Sequence, residues 1–389
     1  MRQVQKNHGS AGVDHMPVTK LSELLSIDKE TLTSEVRSGK YLPQPILGVE
    51  IPKGDKGGTR LLGVPTIKDR IVQGAIKLIL EPVFEADFQP GSFGYRPKRT
   101  AHQAIKQVSN AIAQEKTRVI DLDLKSYFDT IRHDILLSKI AARIRDDKVL
   151  HLLKLILKAN GKRGVPQGSV ISPLLSNIYL NELDKMLEKA NDVTREGKYT
   201  HITYARWADD LIILVDGYRK WDWLYHGVQR RLREELKILD VEINEEKTKV
   251  VDLRKGEKFG FLGFDFRRNV NSQGKGWPHY QPKMSSRTKL LRKLKNIFKR
   301  HISQPISRVI YLINPILRGW ANYFRVGHSS KYFGFVKDWV QKKIRRFLMR
   351  SKRRQGFGWK RWSRDWIYEN LGVYNDYQVR RSPKDFSIQ

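Results

Sequence analysis

Apolar positions recur along the chain with two different periods. In "TAHQAIKQVSNAIAQ" (100–114), Ala101, Ile105, Val108 and Ile112 fall three and four apart, which predicts one face of an amphipathic helix. "TRVIDLDL" (117–124) alternates apolar and acidic residues and predicts a strand. "SPLLSNIYLNELDKMLEKA" (172–190) opens with Ser-Pro, a favourable helix start, and continues with a helical period. "HITYARWA" and "LIILV" predict a hairpin with Asp209 and Asp210 at its tip, and "FGFLGFDF" (259–266) predicts another strand or tight hairpin. Strands separated by helices predict an α+β domain. Beyond residue 286 the period is helical: 286–301, 306–324 and 333–354 each carry an apolar stripe, and Pro315 is expected to kink or interrupt the second. The stretch between, "RRNVNSQGKGWPHYQPKMSS", is rich in Gly, Ser, Asn and Pro and predicts a linker or irregular loop.

Charge changes this picture more than length does. The 389 residues suffice for two or three domains, but they carry 74 Lys and Arg against 41 Asp and Glu, a net charge of +33. An excess of that size points to a polyanionic partner, nucleic acid before an anionic membrane surface. It is concentrated at one end. Residues 285–389 hold 26 Lys and Arg against 5 Asp and Glu, a net of +21, leaving +12 for the other 284 residues. No apolar run approaches the roughly 18 residues a membrane span requires, and "MRQVQKNHGS" has no apolar segment of a signal peptide. There are no cysteines, which removes disulfides, thiolate chemistry and Cys-based zinc sites and fits a cytoplasmic protein. The ten histidines show no pair at metal-ligand spacing.

The chemistry is in the acids. Neighbouring strand residues point to opposite faces, so Asp209 and Asp210 can act together only at a turn. A third acid on a neighbouring strand would complete a site for hard cations, and "IDLDLKSYFD" offers Asp121, Asp123 and Asp129, with Asp121 and Asp123 on one face. Clustered carboxylates repel unless cations neutralise them. Two metal ions about 4 Å apart can clamp the attacking and leaving oxygens of a phosphoryl displacement. The competing reading of an isolated Asp-Asp pair is a solvated turn.

"RWADD" (206–210) resembles the Arg-Tyr-Ala-Asp-Asp motif of reverse transcriptases, and the rest of the chain resembles the bacterial group II intron-encoded type, without its endonuclease domain. "NHGSAGVDHM" (7–16), "IPKGDKGGTRLLGVPTIKDRIVQGAI" (51–76), "GSFGYRPKRTAHQAI" (91–105), "DLDLKSYFDTIRHD" (121–134) and "GVPQGSVISPLLSNIYLNELD" (164–184) follow in the family's order. "LDVEINEEKTKV" (239–250), "FLGF" (261–264) and "INPILRGWANYF" (313–324) complete it. The resemblance implies a right-hand polymerase fold: an N-terminal extension over 1–40, fingers and palm over 41–266, a linker over 267–285, and an α-helical thumb or maturase-like domain over 286–389. It implies that Asp123, Asp209 and Asp210, with the backbone carbonyl of Leu124, hold two Mg²⁺ ions, with Mn²⁺ as a substitute. Asp121 is then a neighbour and not a ligand. Lys53 and Arg60 match the fingers residues that hold the triphosphate, with a solvated basic loop as their alternative. Phe128 matches the gate that excludes a ribose 2′-hydroxyl, with a core aromatic as its alternative, and Gln167 matches the residue near the nascent base pair. Lys247 matches a general acid for pyrophosphate, with a surface lysine at a helix start as its alternative.

Three departures from the family pattern stand out. Trp207 replaces the usual Tyr, Ser169 follows Pro-Gln-Gly where Gly is commoner, and "LKANGKRGVPQG" is short where many relatives carry an extra hairpin. With six residues before Asn7, the family's leading helix is expected to be mostly absent.

In the basic part, Lys342, Lys343, Arg345 and Arg346 occupy one helical stretch and are expected to neutralise successive phosphates, while Trp320, Trp339, Trp359, Trp362 and Trp366 mostly fill a small core. The partners implied are an RNA template, group II intron RNA among them, a DNA primer or target, and dNTPs. The leading reading is an RNA-directed DNA polymerase, nucleoid-associated or in a ribonucleoprotein, that also assists splicing. Two alternatives remain open: an RNA-binding splicing cofactor whose polymerase activity is secondary, and a host-adopted enzyme of phage defence or spacer acquisition.

Overall fold

A computed structural model of the chain describes residues 2–7, 9–52 and 58–380, which fall into two compact units, Met1–Val251 and Asp252–Gln389. In the first, helices α1 (Arg2–Lys6) and α2 (Leu21–Ser38) precede an antiparallel pair, β1 (Leu47–Pro52) and β2 (Thr59–Val64). Helix α3 (Ile67–Glu85) starts at Thr66, whose hydroxyl accepts from the Asp69 amide. Helix α4 (Ala101–Ala113) buries Ile105, Val108 and Ile112 on the face their spacing predicts. Thr100 and Gln103 close a reciprocal capping box at its start.

The main sheet is assembled from distant parts of the chain. Strand β3 (Arg118–Asp123) is followed by helices α5 (Tyr127–Thr130), α6 (His133–Ala141), α7 (Asp147–Lys158) and α8 (Ser172–Val193). Then come the hairpin β4 (Ile202–Trp207) and β5 (Asp210–Val215), helix α9 (Asp222–Ile238) and strand β6 (Lys249–Asp252). The order in the sheet is β4-β5-β3-β6. Ile120 lies opposite Ile213 and Leu122 opposite Leu211. These four share a core cluster with Leu175, Ile178 and Leu183 of α8 and Leu224, Val228 and Leu232 of α9. Burying each such side chain contributes about 2 kcal/mol. Alternation sends Trp207, Asp210 and Asp123 to the other face of the sheet.

The second unit pairs strands with a helical bundle. Strands β7 (Phe259–Phe261), β8 (Phe264–Val270) and β9 (Gly276–Pro282) form an antiparallel sheet in that order. The turn between the first two, Leu262–Gly263, has positive φ at both residues, which twists the hairpin in the sense strands prefer. Most of 267–286, expected to be a linker or irregular loop, is therefore strand. Arg and His alternating with Pro and Tyr hid the period, and only Asn271–Lys275 carries true turn chemistry.

Helices α10 (Met284–Arg300), α11 (Ile306–Phe324), α12 (Ser330–Ser351) and α13 (Arg364–Glu369) complete the unit around Leu294, Ile313, Leu317, Val340, Ile344 and Trp362. Pro315 does not interrupt α11. It forfeits the bond to the carbonyl of Tyr311, which lies on the exposed side, while Ile313 and Leu317 pack on either side of the gap. Among the described residues no helix is long and apolar enough to cross a membrane.

Candidate active site

The two strands that carry the acids meet in a register that sets Asp123 directly opposite Asp210. Side chains of such a pair stand on one face, about 5 Å apart at Cβ, and like charges there destabilise the sheet. Asp209 sits beside them in the two-residue turn between β4 and β5. Burial pushes its carboxyl above the ordinary carboxylate range, the Asp123 charge adds to that, and Arg60 and Arg206 oppose it. Asp123 Oδ2 is buried and accepts no hydrogen bond, and its nearest cation is Lys247 Nζ at 3.3 Å. In this structure no three His, Cys, Asp or Glu side chains among the described residues converge closely enough to enclose a metal ion. The site thus gathers carboxylate oxygens at one corner of the sheet, the donor type that hard divalent cations take.

The turn is held in an unusual backbone conformation. Ala208 has φ +59, which an L residue seldom adopts and which glycine would take more easily. Three contacts impose it. Arg206, buried behind the turn, donates from Nη1 to the Ala208 carbonyl at 3.0 Å. Gly94 lies so close that a Cβ there would stand 2.5 Å from the Ala208 nitrogen. The segment Gly91–Gly94 runs along β4, with Arg206 N donating to Gly91 O at 2.8 Å and Phe93 N to Arg206 O at 2.9 Å.

Arg206 has every acceptor it can use. Its Nε donates to Asp184 Oδ1 at 2.9 Å, Nη1 to Asn177 Oδ1 at 3.0 Å and Nη2 to Ser92 Oγ at 2.8 Å. Both members of the Arg206–Asp184 pair are buried. Burial alone would lower the Arg206 pKa, but the Asp184 carboxylate outweighs it and holds the guanidinium above its ordinary value. Burial pushes the Asp184 carboxyl up while Arg206 opposes it. The hydrogen bonds from Arg206 to both carboxylate oxygens favour the ion pair, which fixes the turn that aims Asp209.

The segment after β3 is anchored too. Asn244 N donates to Asp123 O at 2.9 Å, Asp123 N to Thr248 Oγ1 at 3.2 Å, and Leu124 bridges to Ile243. The loop around Gln167 bonds in two directions: Val165 N donates to Phe128 O at 2.8 Å, and Gly63 N of β2 to Gln167 O at 2.7 Å. Ser169, where the family more often has glycine, is buried and donates to Gln73 Oε1 of α3 at 2.5 Å. Phe128 is partly buried against the core, edge-on to Tyr127 at 5.3 Å. Arg60 stands on β2, three residues before Gly63, and its charge acts on both Asp209 and Tyr95. Lys53 lies outside the described residues.

Comparison with known proteins decides the family. Residues 51–266 match the model of the reverse transcriptase (RNA-dependent DNA polymerase) family. The chain belongs to the reverse transcriptases. It is an RNA-directed DNA polymerase of the group II intron type, and residues 287–367 match the group II intron maturase-specific domain. It is 35% identical over 306 residues to protein YkfC of Escherichia coli K12, covering 69% of this chain and 79% of that one. It is 28% identical over 299 residues to the group II intron-encoded protein LtrA of Lactococcus lactis, covering 61% of this chain and 49% of LtrA, so it spans about half of that relative. Among solved structures, telomerase from Candida tropicalis with a fragment of telomeric RNA aligns at a TM-score of 0.46 and 15% identity, over 86% of this chain and 61% of that one.

In the second unit of this reverse transcriptase the four basic residues expected to face phosphate do not share one environment. Lys342 and Arg346 are exposed and Lys343 is half-buried beside Trp339. Arg345 is turned inward: it is 2% exposed, donates to the Trp362 carbonyl at 2.8 Å and stacks on Trp359. Helical spacing explains the split, because position 345 falls between the core positions Ile344 and Phe347. Reading the sequence left Arg206, Asp184, Asn177 and Gly94 without roles. The available signal was an arginine on the apolar inward face of a strand, which must have a buried acid as partner.

Proposed function

We propose that Asp123, Asp209 and Asp210, with the Leu124 carbonyl, hold two Mg²⁺ ions for addition of deoxynucleotides to a DNA primer on an RNA template. The observation that carries this is the register placing Asp123 opposite Asp210, with a buried Asp123 Oδ2 that accepts no hydrogen bond and has Lys247 Nζ at 3.3 Å. When bound, such ions lower the pKa of a coordinated hydroxyl and stabilise charge on phosphate oxygens, and Mn²⁺ accepts the same donors. The chain's own groups do the positioning. Arg206 and Gly94 hold the turn that aims Asp209. Arg60, with Lys53, grips triphosphate oxygens by charge-assisted hydrogen bonds. Phe128 blocks a 2′-hydroxyl, Gln167 lies along the nascent pair, and Lys247 Nζ supplies a proton to the departing pyrophosphate. In this reading residues 41–266 form fingers and palm, and 286–389 a thumb and maturase-like domain.

Primer extension on an RNA template with dNTPs tests the assignment. Asp209→Asn is expected to lower single-turnover extension by at least about a thousandfold, several kcal/mol of lost charge stabilisation. Undiminished extension would sink it. Protons should compete with the metal. Because Asp209 is raised, Mn²⁺ binding, followed by electron paramagnetic resonance, is expected to weaken as pH falls through that raised pKa, and binding indifferent to pH would count against Asp209 as a ligand.

A second role is favoured by the maturase-specific match over 287–367. As a splicing cofactor for group II intron RNA, the protein should promote splicing equally well with Asp209→Asn, since that role uses RNA binding and not the acids.

A further inference from the structure

The hairpin β8–β9 has two unlike faces. Phe264, Phe266 and Tyr280 alternate onto one, where Phe264 packs with Tyr323 and Phe324. On the other, Arg267 lies opposite His279 and Asn269 opposite Trp277. There the imidazole of His328, from the segment after α11, stacks on His279 at 4.2 Å with 18° between the planes. Trp277 stands 5.6 Å from His279 and 5.2 Å from His328. Trp277 is 38% exposed, and Arg267 and His328 are exposed as well.

Three clustered rings on an open strand face are not core. Two histidines suggest a metal, but the geometry speaks against one. Imidazole lone pairs lie in the ring plane, so nearly parallel stacked rings aim them side by side and not at a common point. Each Nδ1 is also engaged, His279 by Arg267 Nε at 3.3 Å and His328 by the Tyr280 amide at 3.4 Å. Burial first, then His328 and Arg267, push the His279 pKa down to about 4, so that ring stays neutral near pH 7. Exposed flat rings beside cations are what successive bases stack on in single-strand binders.

We propose that Trp277, His279 and His328 form a stacking platform for unpaired bases of a single-stranded polynucleotide, whose phosphates meet Arg267 and Lys275. Charge complementarity selects this occupant: Arg267 stands on the ring face and Lys275 in the turn beside Trp277, with Asp265 at the far end of that face. The platform lies wholly within the second unit and does not involve the acids, so it extends beyond the polymerase reading.

The test uses the full chain in EDTA, where no catalysis occurs. Fluorescence anisotropy compares oligo(U), oligo(dT) and an abasic strand, each of about 15 nucleotides. Trp277→Ala and His328→Ala are each expected to weaken the base-bearing strands about tenfold and to leave the abasic strand unchanged. Trp277→Phe should retain most of the affinity. Equal losses on abasic and base-bearing strands would reduce the surface to electrostatics, and no loss on either would overturn the proposal, as expected if the rings instead seat a protein. Should the alanine variants fail to fold, a 5-bromouracil strand on the unmodified protein decides. Photocrosslinks are expected within 276–282 or at His328, and their absence overturns the platform. Extension at saturating duplex should be unchanged in both variants, so failure here leaves the polymerase reading standing and the reverse also holds.

Discussion

Arg206 in the first unit and Arg345 in the second are both almost fully buried, and their surroundings differ chiefly in a carboxylate. Arg206 has Asp184, and its remaining donors reach Asn177, Ser92 and the Ala208 carbonyl. Arg345 has the Trp362 carbonyl and the face of Trp359, and its Nη1 is buried with no acceptor. The charge follows the partner: Arg206 is held above its ordinary pKa, while burial pushes Arg345 below its own. A buried cation with a full set of acceptors transmits geometry to whatever it bonds, here the turn under Asp209. One without a carboxylate is a packing piece that carries a penalty.

Cutting the ion pair gives the largest expected effect. Arg206→Met leaves Asp184 buried and unpaired, so unfolding stability measured in urea should fall by about 3–5 kcal/mol. Extension should fall at least about a hundredfold, as expected when a reacting geometry slips by an ångström. A variant that keeps both would show that the turn holds itself. Adding Asp184→Leu to the same chain should then return most of the stability, because a well-packed apolar pair often replaces a buried ion pair without loss. Activity should stay low, since the Ala208 carbonyl still lacks its donor. Stability and activity that recovered together would mean that Arg206 acts on the fold alone. For Arg345→Met the expectation reverses: an apolar side chain of similar reach replaces a cation bonded to one carbonyl and to no carboxylate, and stability should move by less than about 1.5 kcal/mol. A loss as large as at Arg206 would erase the distinction.

How far each arginine could be read from the chain follows from the same physics. Period and caps announced α4, α8 and the acid-tipped hairpin, because local patterns dictate those elements. The acids were legible as a motif, and their pairing across β3 and β5 needed only alternation and a turn. The partners of Arg206 were not. Asp184, Asn177 and Ser92 come from 22, 29 and 114 residues away, and no local pattern encodes such distances. The rest of the β8–β9 hairpin was missed for another reason: rings fall on both faces of β9, Trp277 and His279 on one and Tyr280 on the other, so no apolar period of two appears. Arg345 was read as one of four equivalent cations, although helical spacing already places it among core positions.

The finest test of the comparison lies within α12, where Arg345 and Arg346 are sequence neighbours with opposite exposure. If the second unit binds a duplex through its surface charge, each phosphate neutralised contributes about 0.9 to the slope of log affinity against log salt. Arg346→Gln removes an exposed cation and should flatten that slope by about 0.9. Arg345→Gln removes a buried one and should leave the slope unchanged. Lys342→Gln belongs between them: its Nζ is 2.7 Å from Asp338 Oδ2, so contacting a phosphate means giving up an ion pair, and deleting it also frees an acid to repel the backbone. Equal slopes for the 345 and 346 variants would mean that the inward arginine swings out when nucleic acid arrives, and that the two buried arginines differ in mobility and not in role.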